Sequence, residues 1–566
     1  MTGLLAILQQ RLGAAFSAVA AEPVDPAVRR SQRADFQADA ALALGRRLGR
    51  VPREVAQAVL AQDPLEDLCS ATEVAGPGFV NLTLRDDVLA DLVEAMRADE
   101  RLGVPSVEPE TVVIDYSSPN AAKEMHVGHL RSTIIGDAAA RLLEWLGHRV
   151  VRQNHLGDWG TPFGMLVEQL LDEESADHSI RDLNAFYQEA RRKFDADDGF
   201  RERARRRVVA LQAGDETTLR LWRTVVGLSV RYFEEVYERL GVTLTAADLA
   251  GESRYQPVLG AVADELDRLG LLRRSDGADC VFPAGFTNRD GEPLPLIVRK
   301  ADGGYGYDTT DLAAIRHRIL DLRATRLLYV VGTPQREHFQ MVFQAAREAG
   351  WLTDEVRAEH VGFGSVLGED GRMLRTRAGE NVRLTELLDE AVARAGEQVR
   401  QRHTEGTDGV DLDAVARAVG IGAVKYADLA TDRMKDYTFD YDRMLAFDGN
   451  TAPYLQYAHA RGRAIARRTE DAPGAVRVTE PAERELAITL LGLADVLTDL
   501  AETLEPHRLC AYLYGVATAF TAFYERCPVL RAEPATRASR LALCELTTRV
   551  LALGLDLLGI AAPDRM

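Results

Sequence analysis

The sequence predicts an α/β core joined to an all-α region, with a small α+β unit in front. Three observations carry this reading. A strand–helix–strand rhythm opens near Val112, the same rhythm returns near residue 290 after a long and mainly helical stretch, and from about Arg383 to Met566 the pattern is helical with short breaks. Strands joined through helices at this spacing form right-handed βαβ units in a parallel sheet. Two such halves separated by an insertion describe a doubly wound sheet. At 566 residues the chain is too long for one core, so two to four domains are expected.

Composition narrows the class further. Hydrophobic residues are 46% and charged residues 27%, a globular balance, and no apolar run reaches the roughly 18–20 residues of a membrane helix. The five cysteines, Cys69, Cys280, Cys510, Cys527 and Cys544, are odd in number, scattered and without a CxxC pair, which argues against a zinc site or a disulfide framework and for a reducing, cytosolic setting. The formal net charge of −19 argues against a nucleic-acid partner on average, but local basic clusters coexist with an acidic total, so it decides nothing alone.

Residues 1–105 form the first unit. The opening MTGLLAILQQRLGAAF is interrupted by Gln9, Gln10 and Arg11 and lacks a positive segment before its apolar part, so it reads as an amphipathic helix and not as a signal peptide. AALALGRRLGR is a second helical pattern; the Gly76-Pro77-Gly78 turn then precedes the alternating strand Phe79–Leu84. Residues 106–167 carry the first half of the parallel sheet: the strand TVVIDYS, a turn at Ser117, Ser118, Pro119 and Asn120, a helix from about His126 to Leu146, the strand HRVVRQNH, and a helix from about Thr161. The insertion 168–289 is largely helical, and its basic runs (Arg191, Arg192, Lys193, then Arg201, Arg203, Arg205, Arg206, Arg207) read as a solvated helix face. Residues 290–382 resume the sheet with LPLIVRK, the helix DTTDLAAIRHRIL, the strand RLLYVVG, the helix Gln335–Glu348 and the strand AEHVGFG. Two helical regions, 383–448 and 449–566, follow, the second holding the Tyr- and Arg-rich helix YLQYAHARGRAIARR.

The segment that carries chemistry is DYSSPNAAKEMHVGHLRST, residues 115–133. It is a strand end, a polar turn and a helix start, and ligands of open parallel sheets bind beyond the carboxyl ends of the strands. A helix N-terminus there offers free N–H groups and partial positive charge to phosphate. His126 and His129 are three apart and share one helix face, and Gly128 between them carries no side chain to keep a nucleotide off the backbone. Two imidazoles so placed donate to charge building on an α-phosphate while a carboxylate attacks it. An arbitrary H-x-x-H pair at a helix start is more often a cap or a surface feature.

HVGH after a strand and a PN turn resembles the HIGH motif of class I aminoacyl-tRNA synthetases, and the flanks PNAAKEMHVGHLRST resemble the arginyl-tRNA synthetases in particular. The resemblance extends through NHLGDWGTPFG, GESRY (251–255), DGGYGYDTTDLAA (302–314), LRTRAG (374–379), NTAPYLQYAHAR (450–461), EPHRLC (505–510) and the terminal RM. It implies a Rossmann-type class I catalytic domain with a helical insertion, an N-terminal α+β domain on the tRNA elbow, a helical stem-contact region at 383–448, and a C-terminal helical-bundle anticodon-binding domain. It also implies activation of L-arginine with ATP and transfer to tRNA(Arg), with activation requiring bound tRNA, in a cytoplasmic monomer with no tightly bound cofactor.

A guanidinium is planar, permanently charged and forked, so its pocket needs acceptors on more than one side, and carboxylates suit best. Asp115 ends the first strand; Tyr307 and Asp311 are four apart at a helix start. The resemblance places these three on the guanidinium, Ser118 and Asn120 on the substrate α-amino group, and Gln335 at the edge of the pocket. Asp311 also suits a first-turn carboxylate stabilising its helix. A site of buried polar groups rejects near-analogues by ~10⁴–10⁵, so no editing domain is needed.

One motif departs from the family. Class I enzymes usually carry a KMSK loop for the ATP phosphates; the matching stretch GEDGRMLRTRAG (368–379) has none, and Met373 stands where the first lysine belongs. The resemblance makes Lys123, just upstream of HVGH, the substitute; Arg372, Arg375 and Arg377 supply further charge. Mg²⁺ is expected with ATP, held by phosphate oxygens and water, with no carboxylate cage of its own. For RNA, Tyr454, Gln456, Tyr457, His459 and Arg461 lie on one helix whose rings and guanidinium suit stacking on splayed anticodon bases; a core aromatic stripe with a basic rim is the plainer alternative. Phe79 and Asn81 are weaker candidates for the D-loop. Two other functions fit the same residues: a paralogue of this fold serving a secondary pathway, and a catalytically silent tRNA-binding regulator, which would typically have lost a HIGH histidine.

Overall fold

A computed structural model describes residues 3–173, 183–374, 382–402 and 409–566. The chain gathers into two compact units, one of residues 107–394 with 427–443, the other of 1–106, 395–426 and 444–566.

The first of these is built on a four-stranded parallel sheet in the order Arg357–His360, Arg326–Tyr329, Thr111–Asp115, Arg149–Gln153. Its central strands are buried on both faces, as covered parallel sheets require: Val112, Val113, Ile114, Leu327 and Leu328 are all closed to solvent. Thr111–Asp115 pairs with Arg149–Gln153 on one side and with Arg326–Tyr329 on the other, so the chain reverses direction of winding there and opens a crevice at the carboxyl ends. Asp115 and Tyr329 sit opposite each other at that edge. The helices Val127–Leu146, Tyr307–Leu320 and Arg336–Glu348 form where the sequence rhythm puts them.

One strand belongs elsewhere. LPLIVRK, read as a strand of the parallel sheet, forms Leu296–Arg299 in a separate antiparallel sheet, beside Ala278–Val281 and Leu272–Ser275. The reason lies in its burial: Leu296 and Val298 are closed while Ile297 is 40% exposed, the alternation of a sheet covered on one face only. The insertion is accordingly helical as far as Leu259–Arg268 and closes with the hairpin 272–281. Its helices Leu183–Ala196, Asp198–Gln212 and Glu216–Leu240 share a core of Phe163, Leu166, Ala190, Phe200, Leu211 and Val225. The basic runs are largely neutralised in place. Arg203 and Arg207 pair with Glu168, and Arg191, Arg192 and Arg201 pair with Asp195, Glu189 and Asp198 on their own helices.

Residues 383–448 are not wholly helical: Tyr437–Thr438 pairs in parallel with Val366–Leu367. The segment 427–443 is anchored to the helix Val127–Leu146 by Arg131, whose Nε lies 3.2 Å from Asp428 and whose Nη1 donates to the Lys435 carbonyl at 2.9 Å. Both charged side chains are fully buried, and Arg131 lies over the Tyr437 ring.

The second unit carries the antiparallel sheet Val28–Arg30, Phe36–Ala38, Phe79–Leu84, Cys69–Ala75. The Gly76-Pro77-Gly78 turn joins its last two strands, with Gly76 in the left-handed region at φ 52°. The sequence sets 1–105 apart from 449–566; the structure brings the two segments together in one unit. Arg484, on the helix Pro481–Leu490, donates to Asp35 at 2.5 Å and to the Leu84 carbonyl at 2.7 Å, and also pairs with Asp86. The helices Ala452–Ala466, Pro506–Arg526 and Pro534–Leu557 pack around Leu455, Leu513, Phe520, Leu551 and Leu555. Among the described residues no helix is long and apolar enough to cross a membrane.

Candidate active site

The turn after Thr111–Asp115 is strained. Ser117, Ser118 and Ala122 take φ of 70°, 48° and 63°, left-handed values that side-chain-bearing residues adopt at a cost of ~1–3 kcal/mol each. Such a turn persists only where its polar groups are over-determined. Ser117 N–H donates to Ser132 Oγ at 3.0 Å, Ser118 N–H to Asn154 Oδ1 at 3.0 Å, and Ala122 N–H to Ser229 Oγ at 2.8 Å. Asn120 is exposed, and its side-chain amide lies where a Cβ on Gly157 would stand, so a larger residue at 157 would turn that amide aside. Lys123 is exposed, its Nζ 4.9 Å above the Tyr187 ring.

His126 is the N-cap of Val127–Leu146, and the two histidines cap each other. Gly128 N–H donates to His126 Nδ1 at 3.0 Å, and His126 N–H donates to His129 Nδ1 at 3.1 Å. The rings lie 4.0 Å apart. Burial first, then the neighbouring cations, lowers both imidazoles, His129 to about 3. With each Nδ1 accepting an N–H, the neutral form of each ring carries its proton on Nε2. The cap reading of the pair therefore holds. Gly128 has a reason beyond ligand access: a Cβ would stand 2.8 Å from His126 Cε1.

Asp115 departs from expectation. Arg318 Nη2 donates to its Oδ2 at 2.6 Å and Ser118 Oγ to its Oδ1 at 2.9 Å. Arg318 is itself 1% exposed, donates through Nε to Gln153 at 2.6 Å, and stacks 4.9 Å above Tyr329. The carboxylate already holds a guanidinium of the protein, so it is not an open acceptor for another.

The acceptor that sequence reading did not single out is Glu252, in GESRY. Burial first, then Asp158 and Asp311, push its carboxyl up to about 7. Among the described residues no cation pairs with it. Asp158 shapes this loop: it accepts from Ser253 N–H at 2.8 Å and Ser253 Oγ at 2.7 Å, and its own carboxyl is raised by burial. Spacing gives no clue to Glu252, because its neighbours Asp158 and Asp311 lie far away in sequence.

Tyr307 opens its helix and Asp311 lies one turn further on, so the two share a face as predicted, with Tyr307 66% exposed; the first-turn carboxylate is Asp308, not Asp311. Asp311 Oδ2 lies 2.6 Å from His338 Nε2, and Asp308 3.7 Å from His338 Nδ1; these carboxylates raise the imidazole against the effect of burial. Asp115 and Asp311 both add to the burial that raises Tyr255 and Tyr329, so they flank the same buried tyrosines. Gln335 is exposed at the start of the helix that carries His338. Arg372 is exposed, on the rim of a pocket of about 850 Å³ with Met373, Arg394 and Tyr441. Arg375 and Arg377 lie outside the described residues.

In the other unit the predicted RNA face divides. Tyr457 is 43% exposed, and Arg461 stacks 4.8 Å from its ring and 5.0 Å from Tyr524, which sequence reading missed because it lies on the separate helix Pro506–Arg526. Tyr454 is half-buried beside Tyr514, its hydroxyl 3.2 Å from Thr521. Gln456 and His459, expected on the RNA side, are buried instead. Gln456 Nε2 donates to the carbonyls of Ala418 and Ala561, at 3.0 and 2.8 Å, and His459 Nδ1 lies 3.2 Å from the Pro563 carbonyl; both tie down the chain terminus. Asn81 is buried too, its Oδ1 taken by Gln37 at 2.7 Å, while Phe79 is half-exposed beside the turn.

Comparison with known proteins gives the following. Residues 91–441 match the family described as tRNA synthetases class I (R), catalytic domain; residues 455–566 match the DALR anticodon binding domain; residues 4–84 match the arginyl tRNA synthetase N terminal domain. The arginine--tRNA ligase of Thermobifida fusca (strain YX) is 56% identical over 99% of this chain and 98% of its own length, and that of Frankia casuarinae 55% identical over 96% and 95%. Among solved structures, an arginyl-tRNA synthetase of Plasmodium falciparum superposes with TM-score 0.86 at 29% identity over 99% of this chain and 98% of that one, and the Thermus thermophilus enzyme with 0.84 at 26% over the whole of both.

Proposed function

The chain belongs to the arginyl-tRNA synthetase family and ligates arginine to tRNA at the expense of ATP; from that premise we propose how its residues divide the work. The guanidinium of L-arginine is gripped by Glu252 and Asp311, with Tyr307 at the mouth and Gln335 at the edge. One observation carries this assignment: a half-buried carboxyl, raised by desolvation and then by two other carboxylates and paired with no cation of the described chain, is a vacancy of charge, and a forked cation fills it. Asp115, occupied by Arg318, is a wall: through Ser118 Oγ it orients the residue that, with Asn120, takes the α-amino group.

ATP lies along the HVGH helix start. The carboxylate of arginine attacks the α-phosphorus, the bond to the β-phosphate oxygen breaks, and diphosphate leaves; the 3′-terminal hydroxyl of tRNA then attacks the adenylate carbonyl and AMP leaves. His126 and His129 donate from Nε2 to the phosphate charge, and being neutral they do so throughout the physiological pH range. Lys123, Arg372, Arg375 and Arg377 meet the outer phosphates in place of the KMSK lysine, and Mg²⁺ carried on ATP supplies further charge neutralisation there. Activation waits for bound tRNA. The 449–566 region takes the anticodon loop on Tyr454, Tyr457 and Arg461, joined by Tyr524, and the 1–105 region meets the tRNA elbow near Phe79. The region 383–448 follows the stem, and the protein works as a cytoplasmic monomer.

Arginine-dependent ATP–diphosphate exchange, run with and without tRNA(Arg), tests the assignment. Exchange with tRNA alone supports it; exchange of equal rate without tRNA overturns the tRNA requirement. Retained tRNA binding with no exchange in either case identifies the silent regulator instead.

A further inference from the structure

We propose that the insertion helix Glu216–Leu240 is part of the catalytic apparatus, with Tyr237 a positioning residue for the arginine end of the Ser117–His126 turn and Ser229 and Tyr232 positioning residues for its ATP end. This rests on the assignment of Ser118 to the α-amino group and of Lys123 and HVGH to ATP.

The face of this helix toward the sheet is apolar at Leu221, Val225, Phe233, Val236 and Leu240. Packing alone needs nothing else there, and a buried hydroxyl is costly unless bonded. Yet three hydroxyls leave this helix for the turn. Tyr237, 3% exposed, accepts from Asn154 Nδ2 at 2.9 Å and lies 2.7 Å from Ser117 Oγ. Asn154 spends its other amide atom on Ser118 N–H. Tyr237 therefore fixes both consecutive left-handed residues, one directly and one through Asn154. Ser118 Oγ, so placed, reaches Asp115.

About two turns earlier on the helix, Ser229, fully buried, accepts from Ala122 N–H at 2.8 Å, and Ala122 is the third left-handed residue. Tyr232 OH accepts from Met125 N–H at 3.2 Å. These two amides bracket Lys123 and end one residue before His126. Trp222, further toward the N-terminus, donates from Nε1 to the Asp158 carbonyl at 2.8 Å, and Asp158 holds the Glu252 loop. All three strained residues of the turn thus depend on hydroxyls of one helix, Tyr237 serving the arginine end and Ser229 with Tyr232 the ATP end.

The experiment measures arginine KM and ATP KM separately, by ATP–diphosphate exchange with saturating tRNA, in Tyr237→Phe, Ser229→Ala and Tyr232→Phe, with Ser118→Ala alongside and thermal melting of each. Tyr237→Phe, which removes both of the hydroxyl's buried hydrogen bonds, is expected to raise arginine KM roughly tenfold, with ATP KM within about twofold of the parent. Ser229→Ala and Tyr232→Phe are expected to do the reverse. Equal changes in both constants, or a change in melting with neither constant moved, overturn the proposal. If Tyr237→Phe melts below the assay temperature, Ser117→Ala, which removes its partner, takes its place with the same expectation, and half-exposed Tyr232 serves the ATP end. Should Ser118→Ala leave arginine KM unchanged while Tyr237→Phe raises it alone, the α-amino assignment falls and the positioning role stands. Should Ser118→Ala raise it and Tyr237→Phe not, the assignment stands and the positioning role falls; if neither moves it, both fall.

Discussion

Asp311→Asn keeps the shape of the side chain and removes its charge. Asp311 Oδ2 lies 2.6 Å from His338 Nε2 at 16% side-chain exposure, and its charge is one of the two that add to burial in pushing Glu252 up to about 7. Losing one member of a desolvated charge pair costs about 2–5 kcal/mol. Glu252 remains and Asp311 is not fully closed to water, so the lower part of that range applies, about 2–3.5 kcal/mol. At 1.4 kcal/mol per factor of ten, arginine KM rises about 30- to 300-fold. The same substitution carries a signature in pH. In the free protein Glu252 is protonated below about 7, and the incoming guanidinium must displace that proton. Arginine KM therefore falls as pH rises from 6 toward 8, by up to about tenfold per pH unit at its steepest, and levels off above. Without the Asp311 charge the Glu252 carboxyl drops, though burial and Asp158 still hold it up, and the inflection moves to lower pH. Above about pH 7 the rate at saturating arginine stays flat, because burial lowers both HVGH imidazoles and keeps them neutral there. The assay is arginine-dependent exchange at saturating tRNA from pH 6 to 8.5, with filter binding of tRNA as the control. A KM within about threefold of the parent, or an inflection that does not move, refutes the clamp.

Gly128→Ala places a Cβ 2.8 Å from His126 Cε1, displaces the ring, and is expected to lower the single-turnover activation rate about a hundredfold with arginine KM nearly unchanged. Tyr457→Ala removes an exposed ring stacked on Arg461 and is expected to raise tRNA KM about 5- to 100-fold while melting is unaffected. Gln456→Ala, one residue away, loses two buried donations to carbonyls and is expected to cost about 1–3 kcal/mol in urea unfolding; the two neighbours should therefore separate cleanly into binding and stability. Arg318→Met strands the buried Asp115 carboxylate and is expected to cost about 3–5 kcal/mol by the same measurement, whereas an Asp115 that merely awaits substrate would lose little.

Much of the fold is legible in local pattern. The helix Val127–Leu146, the strands 111–115, 149–153, 326–329 and 357–360, and the hairpin after Gly76 all follow from periodicity and turn residues. What pattern does not give is partnership. LIVR at 296–299 is a strand in any reading, but which sheet accepts it depends on whether both its faces find cover. Helical spacing puts Gln456 and His459 beside Tyr457, yet whether a polar residue faces RNA or a carbonyl at the chain terminus depends on residues some hundred positions away. The same holds at the site. HVGH is local, and its geometry is a property of four residues, so the sequence reveals it. The proposed clamp is not: Glu252, Asp311 and Asp158 converge only after folding, and Asp115 pairs with Arg318, 203 positions away.

The mutual capping of His126 and His129 bears on how such sequences drift. Each ring closes an amide that the start of Val127–Leu146 would otherwise leave open, so both contribute to holding the fold whether or not any reaction occurs. Their presence is therefore a weaker sign of catalysis than the expectation that a silent regulator would have lost one of them assumes. Glu252 and Asp311 differ: their crowding raises the Glu252 carboxyl in the empty protein, and in the proposed clamp a cationic substrate relieves it. In a lineage losing its trade these carboxylates would erode first, which makes them, more than the histidines, the testimony that this chain is still employed.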